Sequence, residues 1–311
     1  MLHFKTPLFE DTLVYKGVSR RIYFKMDCYQ PSGSFKIRGI GLLCSHHAAL
    51  GASGLCSSSG GNAGLAVAYS GQKLGLKTTI VVPSTTTEAV RQRIRKLGAW
   101  VLEHGDVWDE ADVFARSYAK HHNLAYIHPF DDPIIWSGHA SMIEEMKNQG
   151  DKPDVVVCSV GGGGLMCGVV EGLQKHGWSD VEVIAVETHG AASLSASVEA
   201  DELVTIDSIT SIAKTLGARR VAQRAFELTK EHPIHCLQVS DAQAVRGCVD
   251  LLDLYRVLVE PSCGAAFAAL KTDHPSLLQA KTIAVVVCGG SGVDTKEFLH
   301  WHHTFGPLIS N

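Results

Sequence analysis

Nine cysteines are present, but none forms a Cys-x-x-Cys pair and their spacing is uneven. That excludes a disulfide framework and a zinc ribbon, and it places reduced thiols in a cytoplasmic protein. Basic runs are missing and the formal charge is −4, so no nucleic-acid partner is expected. No apolar run approaches the ~20 residues of a membrane span. The opening residues Met1, Leu2, His3, Phe4, Lys5, Thr6 and Pro7 lack the apolar core of a signal peptide. Sixteen histidines occur without a His-Glu-x-x-His motif or a Cys/His quartet, so His300, His302 and His303 read as a solvated helix end. Prolines number only ten against thirty glycines, a balance suited to many strand–helix turns rather than disorder.

What is present is alternation. Strands are expected at 21–26, 55–58, 78–82, 100–103, 124–128, 154–160, 181–187, 235–239 and 282–288, with a short one at 204–206. Helices are expected from 37, from 62, and over 87–97, 109–121, 218–231, 242–255 and 263–271, with a last one from about 294. Strand–helix alternation of this kind specifies an α/β fold with doubly wound parallel sheets. The continuous apolar run at 154–160 is what a sheet covered on both faces requires. With 311 residues, about two domains are expected: a small one over 39–131 and a large one over 1–38 plus 132–311. Ligands then belong at the carboxyl ends of the strands.

Four stretches carry chemistry. Pro31, Ser32, Gly33, Ser34, Phe35 and Lys36 form a turn that opens a helix. A lysine at a helix mouth, with Arg38 nearby, is biased toward its neutral, nucleophilic amine; a lone lysine is far more often a solvated surface residue. Gly161, Gly162, Gly163 and Gly164 precede Leu165 between a buried strand and a helix, which makes a phosphate cradle. The loop lacks both the Gly-Lys-Ser/Thr of a nucleoside triphosphate site and the spaced glycines of a dinucleotide site. Ser58, Ser59, Gly60, Gly61, Asn62, Ala63 and Gly64 open another helix, where hydroxyls and amides can hold a carboxylate; an ordinary helix cap is an equally good reading. Cys288, Gly289 and Gly290 end the last strand, where a thiol can face an aromatic nitrogen or simply be buried.

Together these motifs resemble the serine dehydratases among the tryptophan-synthase-β-like (fold type II) pyridoxal phosphate enzymes. The resemblance also covers Pro129, Phe130, Asp131, Asp132 and Pro133, the stretch from Glu260 through Pro261, Ser262 and Cys263 to Ala266, and Val287 with Cys288. It spans nearly the whole chain. It implies Lys36 as the Schiff-base lysine and α-carbon base, Phe35 beside it, and Asn62 facing the phenolic oxygen of the cofactor. Gly161, Gly162, Gly163, Gly164 and Leu165 would hold the phosphate, with Cys288 and Gly289 at the ring nitrogen. Ser59, Gly60, Gly61, Asn62, Ala63 and Phe130 would line the substrate site. Gly161, Glu187, Ala191, Ser193, Leu216 and Ala218 would bind a monovalent cation such as potassium. The implied reaction is dehydration and deamination of L-serine to pyruvate and of L-threonine to 2-oxobutyrate, and a homodimer is expected. A thiol at the ring nitrogen does not hold it protonated, which favours prompt β-elimination.

Two positions depart from parts of the family. The more active dehydratases tend to carry alanine where this chain has Gly60, so slower turnover and looser substrate choice are expected. Cysteine synthases carry threonine, and serine racemases and biosynthetic threonine deaminases histidine, where Ala63 stands. With the sequence ending at Asn311, the C-terminal regulatory domain of the biosynthetic deaminases is not expected. A β-replacing transferase, a racemase and a binding protein without turnover remain the rivals.

Overall fold

Apolar runs set the centre of each sheet. Val155, Val156, Val157 and Cys158 are wholly buried, as are Leu55 and Cys56, because parallel strands covered on both faces have no solvent side. The computed structural model describes residues 1–305. By internal contacts these form two units, one of residues 1–4 with 30–139 and one of residues 5–29 with the rest of the chain.

The first unit holds α1 (Lys36–Ala49), β3 (Gly54–Ser57), α2 (Asn62–Leu74), β4 (Lys77–Val82), α3 (Glu88–Lys96), β5 (Trp100–Glu103), α4 (Trp108–His121) and β6 (Ala125–Tyr126), with the start of α5 (Pro133–Lys147). Its sheet is all parallel, in the order β5-β4-β3-β6. The order in which strands are added therefore reverses between β3 and β6. In a doubly wound sheet that switch point is where loops part and ligands enter. Residues 58–62 follow β3, and residues 127–130 follow β6.

The second unit holds β1 (Leu8–Tyr15), β2 (Val18–Lys25), β7 (Val155–Ser159), α6 (Gly164–Lys175), β8 (Glu182–Thr188), α7 (Ser193–Ala200), α8 (Gln223–Glu231), β9 (Ile234–Val239), α9 (Asp241–Tyr255), α10 (Pro261–Ala268), α11 (Pro275–Gln279), β10 (Thr282–Val286) and α12 (Thr295–Phe305). The order is β1-β2-β10-β7-β8-β9. Here the switch lies between β10 and β7, which lead into Cys288 and into the glycine loop respectively.

The architecture is the expected α/β one, with differences. β1 is an antiparallel edge strand not read from the sequence; it pairs with β2 across a two-residue turn in which Lys16 and Gly17 both have positive φ. α5 and α7 are likewise additions to the sequence reading, and residues 204–206 form no strand. α8 starts at Gln223 rather than 218, because residues 214–216 make a 3₁₀ turn and Ala218 N–H bonds back to Leu216 O. Within the first unit α1 and the start of α5 meet backbone to backbone: a Cβ on Gly39 would sit 2.3 Å from Ile135 O, and one on Gly138 2.6 Å from Gly39 Cα.

Candidate active site

Lys36 is the first residue of α1 and donates from Nζ to Pro129 O at 2.7 Å. Its ammonium lies 5.3 Å from the centroid of the Phe35 ring, which in turn packs 4.9 Å from the buried His139 ring. The neighbouring connection, residues 127–132, is tied down along its length. Ser57 Oγ donates to Ile127 O at 2.8 Å, and Trp136 Nε1 donates to Phe130 O at 2.8 Å. Phe130 packs against His128 at 4.7 Å between centroids.

After β3 the chain turns through Ser58, Ser59, Gly60 and Gly61 into α2, whose first residues are Asn62 and Ala63. Ser59 Oγ accepts the Gly61 N–H at 3.3 Å. The helix start offers its first backbone amides, the usual place for an anion. Beneath this loop lies a network that the sequence does not reveal. Ser58 Oγ donates to Asp112 Oδ1 at 2.6 Å, Tyr126 OH donates to the same oxygen, and Arg116 Nε donates to Asp112 Oδ2 at 2.7 Å. Burial pushes the Asp112 carboxyl up, but the three hydrogen bonds outweigh it and hold it below its ordinary value.

In the second unit, the loop between β7 and α6 can be built only from glycine at key points. Gly163 has φ +89°, and a Cβ there would lie 2.3 Å from Ala225 Cβ. A Cβ on Gly161 would lie 3.1 Å from Thr215 O. The bare backbone of Gly161, Gly162 and Gly163 thus leads directly into the N-terminus of α6 at Gly164 and Leu165. Cys288, after β10, is buried. Its hydrogen bond with Cys263, together with burial, pushes its thiol well above the ordinary value, so it stays S–H. Gly289 N–H donates to Cys263 Sγ at 3.4 Å, and Ser159 Oγ lies 4.0 Å from Cys288 Sγ while donating to Ser262 O at 2.6 Å. Glu260 orders the turn beyond: Oε1 accepts the Gly292 N–H at 2.6 Å and Oε2 accepts Thr215 Oγ1 at 2.7 Å.

Of the expected cation ligands, Glu187 is fully buried. Its Oε1 accepts Leu194 N–H at 2.8 Å, and its Oε2 accepts Ser195 N–H at 2.8 Å and Ser195 Oγ at 2.6 Å. All these donors are neutral, and burial raises its pKa. A buried carboxylate held only by neutral donors is the kind of group that a cation relieves. Ser193 Oγ donates to Ala218 O at 2.8 Å, Leu216 O accepts Ala218 N–H at 2.8 Å, and Ala191 N–H donates to Thr188 O at 2.9 Å. Among the described residues no cluster of three or more His, Cys, Asp or Glu could hold a metal ion.

The residues are thus divided. Lys36, Phe35, Ser59, Gly60, Gly61, Asn62, Ala63 and Phe130 belong to the first unit, whereas the glycine cradle, Cys288, Gly289 and the cation candidates belong to the second. Taken separately, the first unit offers an amine fixed by a carbonyl, chemistry suited to an aldehyde, and the second offers a loop whose Gly163 leaves no room for a side chain at a helix start, suited to a phosphate, and a thiol that stays neutral, suited to an unprotonated ring nitrogen; these are the three functional groups of pyridoxal phosphate. Comparison with known proteins gives the same class: residues 1–289 match the pyridoxal-phosphate dependent enzyme family, and the chain belongs to it. The relatives narrow the class to amino-acid lyases of fold type II. The chain is 46% identical over 306 residues to human "L-serine dehydratase/L-threonine deaminase", covering 95% of this chain and 93% of the relative. It is 45% identical over 304 residues to human "Serine dehydratase-like", covering 95% and 92%. Among solved structures, an L-serine ammonia-lyase from Rhizomucor miehei superposes with TM-score 0.91 at 37% identity, covering 98% of this chain and 99% of that one.

Proposed function

We propose that the chain is an L-serine/L-threonine ammonia-lyase, which converts L-serine to pyruvate and ammonia and L-threonine to 2-oxobutyrate and ammonia. The observation that carries this reading is the lysine amine at the start of α1, held 2.7 Å from Pro129 O in the unit that also bears the 59–63 loop. The names of its relatives support the same reaction.

Pyridoxal phosphate, when bound, supplies an electron sink for negative charge developing on the substrate α-carbon. Lys36 Nζ would anchor the group covalently and, once freed by the substrate amine, would be the base that takes the α-proton. Gly161, Gly162, Gly163, Gly164 and Leu165 would hold the phosphate through backbone N–H groups at the helix start. Asn62 would hydrogen-bond the phenolic oxygen, the Cys288 thiol and Gly289 would serve the ring nitrogen, and Phe35 packs beside the lysine. Ser59, Gly60, Gly61, Asn62 and Ala63 take the substrate carboxylate, where α2 offers amides and the positive end of its dipole. Phe130 would line that site and pack near the cofactor ring. Loss of the β-hydroxyl as water, then hydrolysis, leaves the 2-oxo acid and ammonia.

Residues 39–131 serve as the substrate domain, and 1–38 with 132–311 as the cofactor domain. Glu187, with Gly161, Ala191, Ser193, Leu216 and Ala218, supplies a monovalent cation site that potassium would fill. The protein acts as a homodimer in the cytoplasm, where its thiols stay reduced. Replacing Lys36 by alanine tests the reading: the folded variant should produce no 2-oxo acid from L-serine, and retained production would remove Lys36 from its role.

A further inference from the structure

We infer that His128 is a positioning residue for the reactive lysine: its Nδ1 fixes the peptide that aims the Pro129 carbonyl at Lys36 Nζ. The inference rests on the reading of Lys36 given above. His128 Nδ1 accepts the Asp131 N–H at 2.7 Å and the Phe130 N–H at 3.3 Å. A nitrogen that accepts cannot carry a proton, so the hydrogen of the neutral ring sits on Nε2.

The leverage comes from one planar unit. Pro129 C=O and Phe130 N–H belong to the same peptide group, and in a trans peptide the two point in opposite directions. No cis peptide occurs among the described residues. The histidine therefore holds one end of this plane while Lys36 Nζ meets the other at 2.7 Å. The preceding peptide, which ends at the proline nitrogen, has no N–H to donate, so the Phe130 amide is the first donor after His128 that can anchor this segment. The adjoining carbonyls are already committed, Ile127 O to Ser57 Oγ and Phe130 O to Trp136 Nε1. The imidazole is itself clamped, with ring centroids of Phe130 at 4.7 Å, Trp108 at 6.3 Å and Tyr126 at 6.4 Å. Burial, with Arg116 and Lys36 opposing protonation and Asp112 favouring it, brings the His128 pKa down to about 4, so Nδ1 stays bare at neutral pH.

Two substitutions separate positioning from bulk. His128→Leu keeps the volume and removes the acceptor; His128→Asn keeps an acceptor, since an asparagine carbonyl bonds amides two residues on. The readouts are the rate at which Schiff-base absorbance appears when cofactor is added to the cofactor-free protein, and the split between kcat and KM for L-serine. His128→Leu should slow absorbance growth and lower kcat by about ten- to a hundredfold, as for a displaced reacting group, with KM nearly unchanged. His128→Asn should recover most of both. Equal behaviour of the two variants, or wild-type rates in His128→Leu, would overturn the role. If His128→Leu does not fold, the ring nitrogen shifts of the wild-type holoenzyme by NMR decide it, and a proton on Nδ1 refutes the inference. Failure of the lysine reading would show separately, as Schiff-base absorbance persisting in Lys36→Ala.

Discussion

Gly60→Ala is the most informative single change at the substrate loop. A Cβ at this position would lie 2.7 Å from Thr86 Oγ1, 2.9 Å from Thr86 Cγ2 and 3.3 Å from Val82 Cγ1. Thr86 is half-buried in the turn after β4, where its N–H bonds Pro83 O at 3.0 Å. Relief thus falls to rotation of its side chain, and overpacking of this kind costs about 1–3 kcal/mol. Against that, replacing a glycine whose φ is not left-handed gains about 0.4–1 kcal/mol by restricting the unfolded chain. The net loss in the wild-type background is about 1 kcal/mol, or roughly 1–2 °C in melting temperature for a chain of 311 residues. In a Thr86→Ala background both close atoms are gone and only the Val82 contact remains, so the same change should be neutral or stabilising. Melting curves of the four proteins in the cycle measure the coupling, expected at about 1–2 kcal/mol. Serine turnover should rise with Gly60→Ala only where Thr86 has been cut back. Additive effects would refute the steric argument.

Asp112→Asn removes the charged acceptor shared by Ser58, Tyr126 and Arg116 and should cost about 1–3 kcal/mol at neutral pH. Because the folded-state pKa of Asp112 is below its ordinary 3.8, the contribution is complete above that value and disappears as pH falls through the lower one. Denaturant titrations should show the gap from wild type closing in acid, and a constant gap would contradict the network. His128, with a pKa of about 4 against an ordinary 6.5, makes the opposite demand on protons. The unfolded chain binds a proton there that the folded ring refuses, so stability should rise by up to about 3 kcal/mol between pH 4 and 6.5. His128→Asn should flatten that slope, and an unchanged slope would assign it elsewhere. Cys28 and Cys236 are pushed up to about 12, chiefly by burial, and Cys288 is raised by Cys263 and burial. The native protein should therefore react slowly with thiol reagents at pH 7.5 and fully once unfolded; a rapidly reacting thiol would contradict a neutral Cys288.

Most of the fold is legible in the sequence because parallel strands buried on both faces leave continuous apolar runs, as at 154–160. The elements that escape such a reading do so for local causes. β1 has no fully buried residue and carries no strong alternation, although the Lys16-Gly17 turn is a usable signal. α5 starts with Pro133 at its first position, a recognised helix start that reads equally as a breaker. The site motifs are visible as glycine-rich turns at strand ends. Their supports are not: Asp112, Tyr126 and Arg116 meet Ser58 only once α4 and β6 pack beside β3. Thr86 against Gly60 and Cys263 against Cys288 likewise exist only in three dimensions, and no spacing along the chain announces them. His128 stands beside a recognised motif, but its role depends on which ring nitrogen faces the backbone.

The central claim is tested most directly by measuring 2-oxo acid and ammonia released from L-serine and L-threonine by the cofactor-loaded protein with potassium present. Pyruvate from serine and 2-oxobutyrate from threonine, each matched one to one by ammonia, are the predicted result. No 2-oxo acid from either amino acid, from a protein whose cofactor absorbance is intact and shifts when serine is added, would contradict the lyase and leave a binding protein or a transferase in its place.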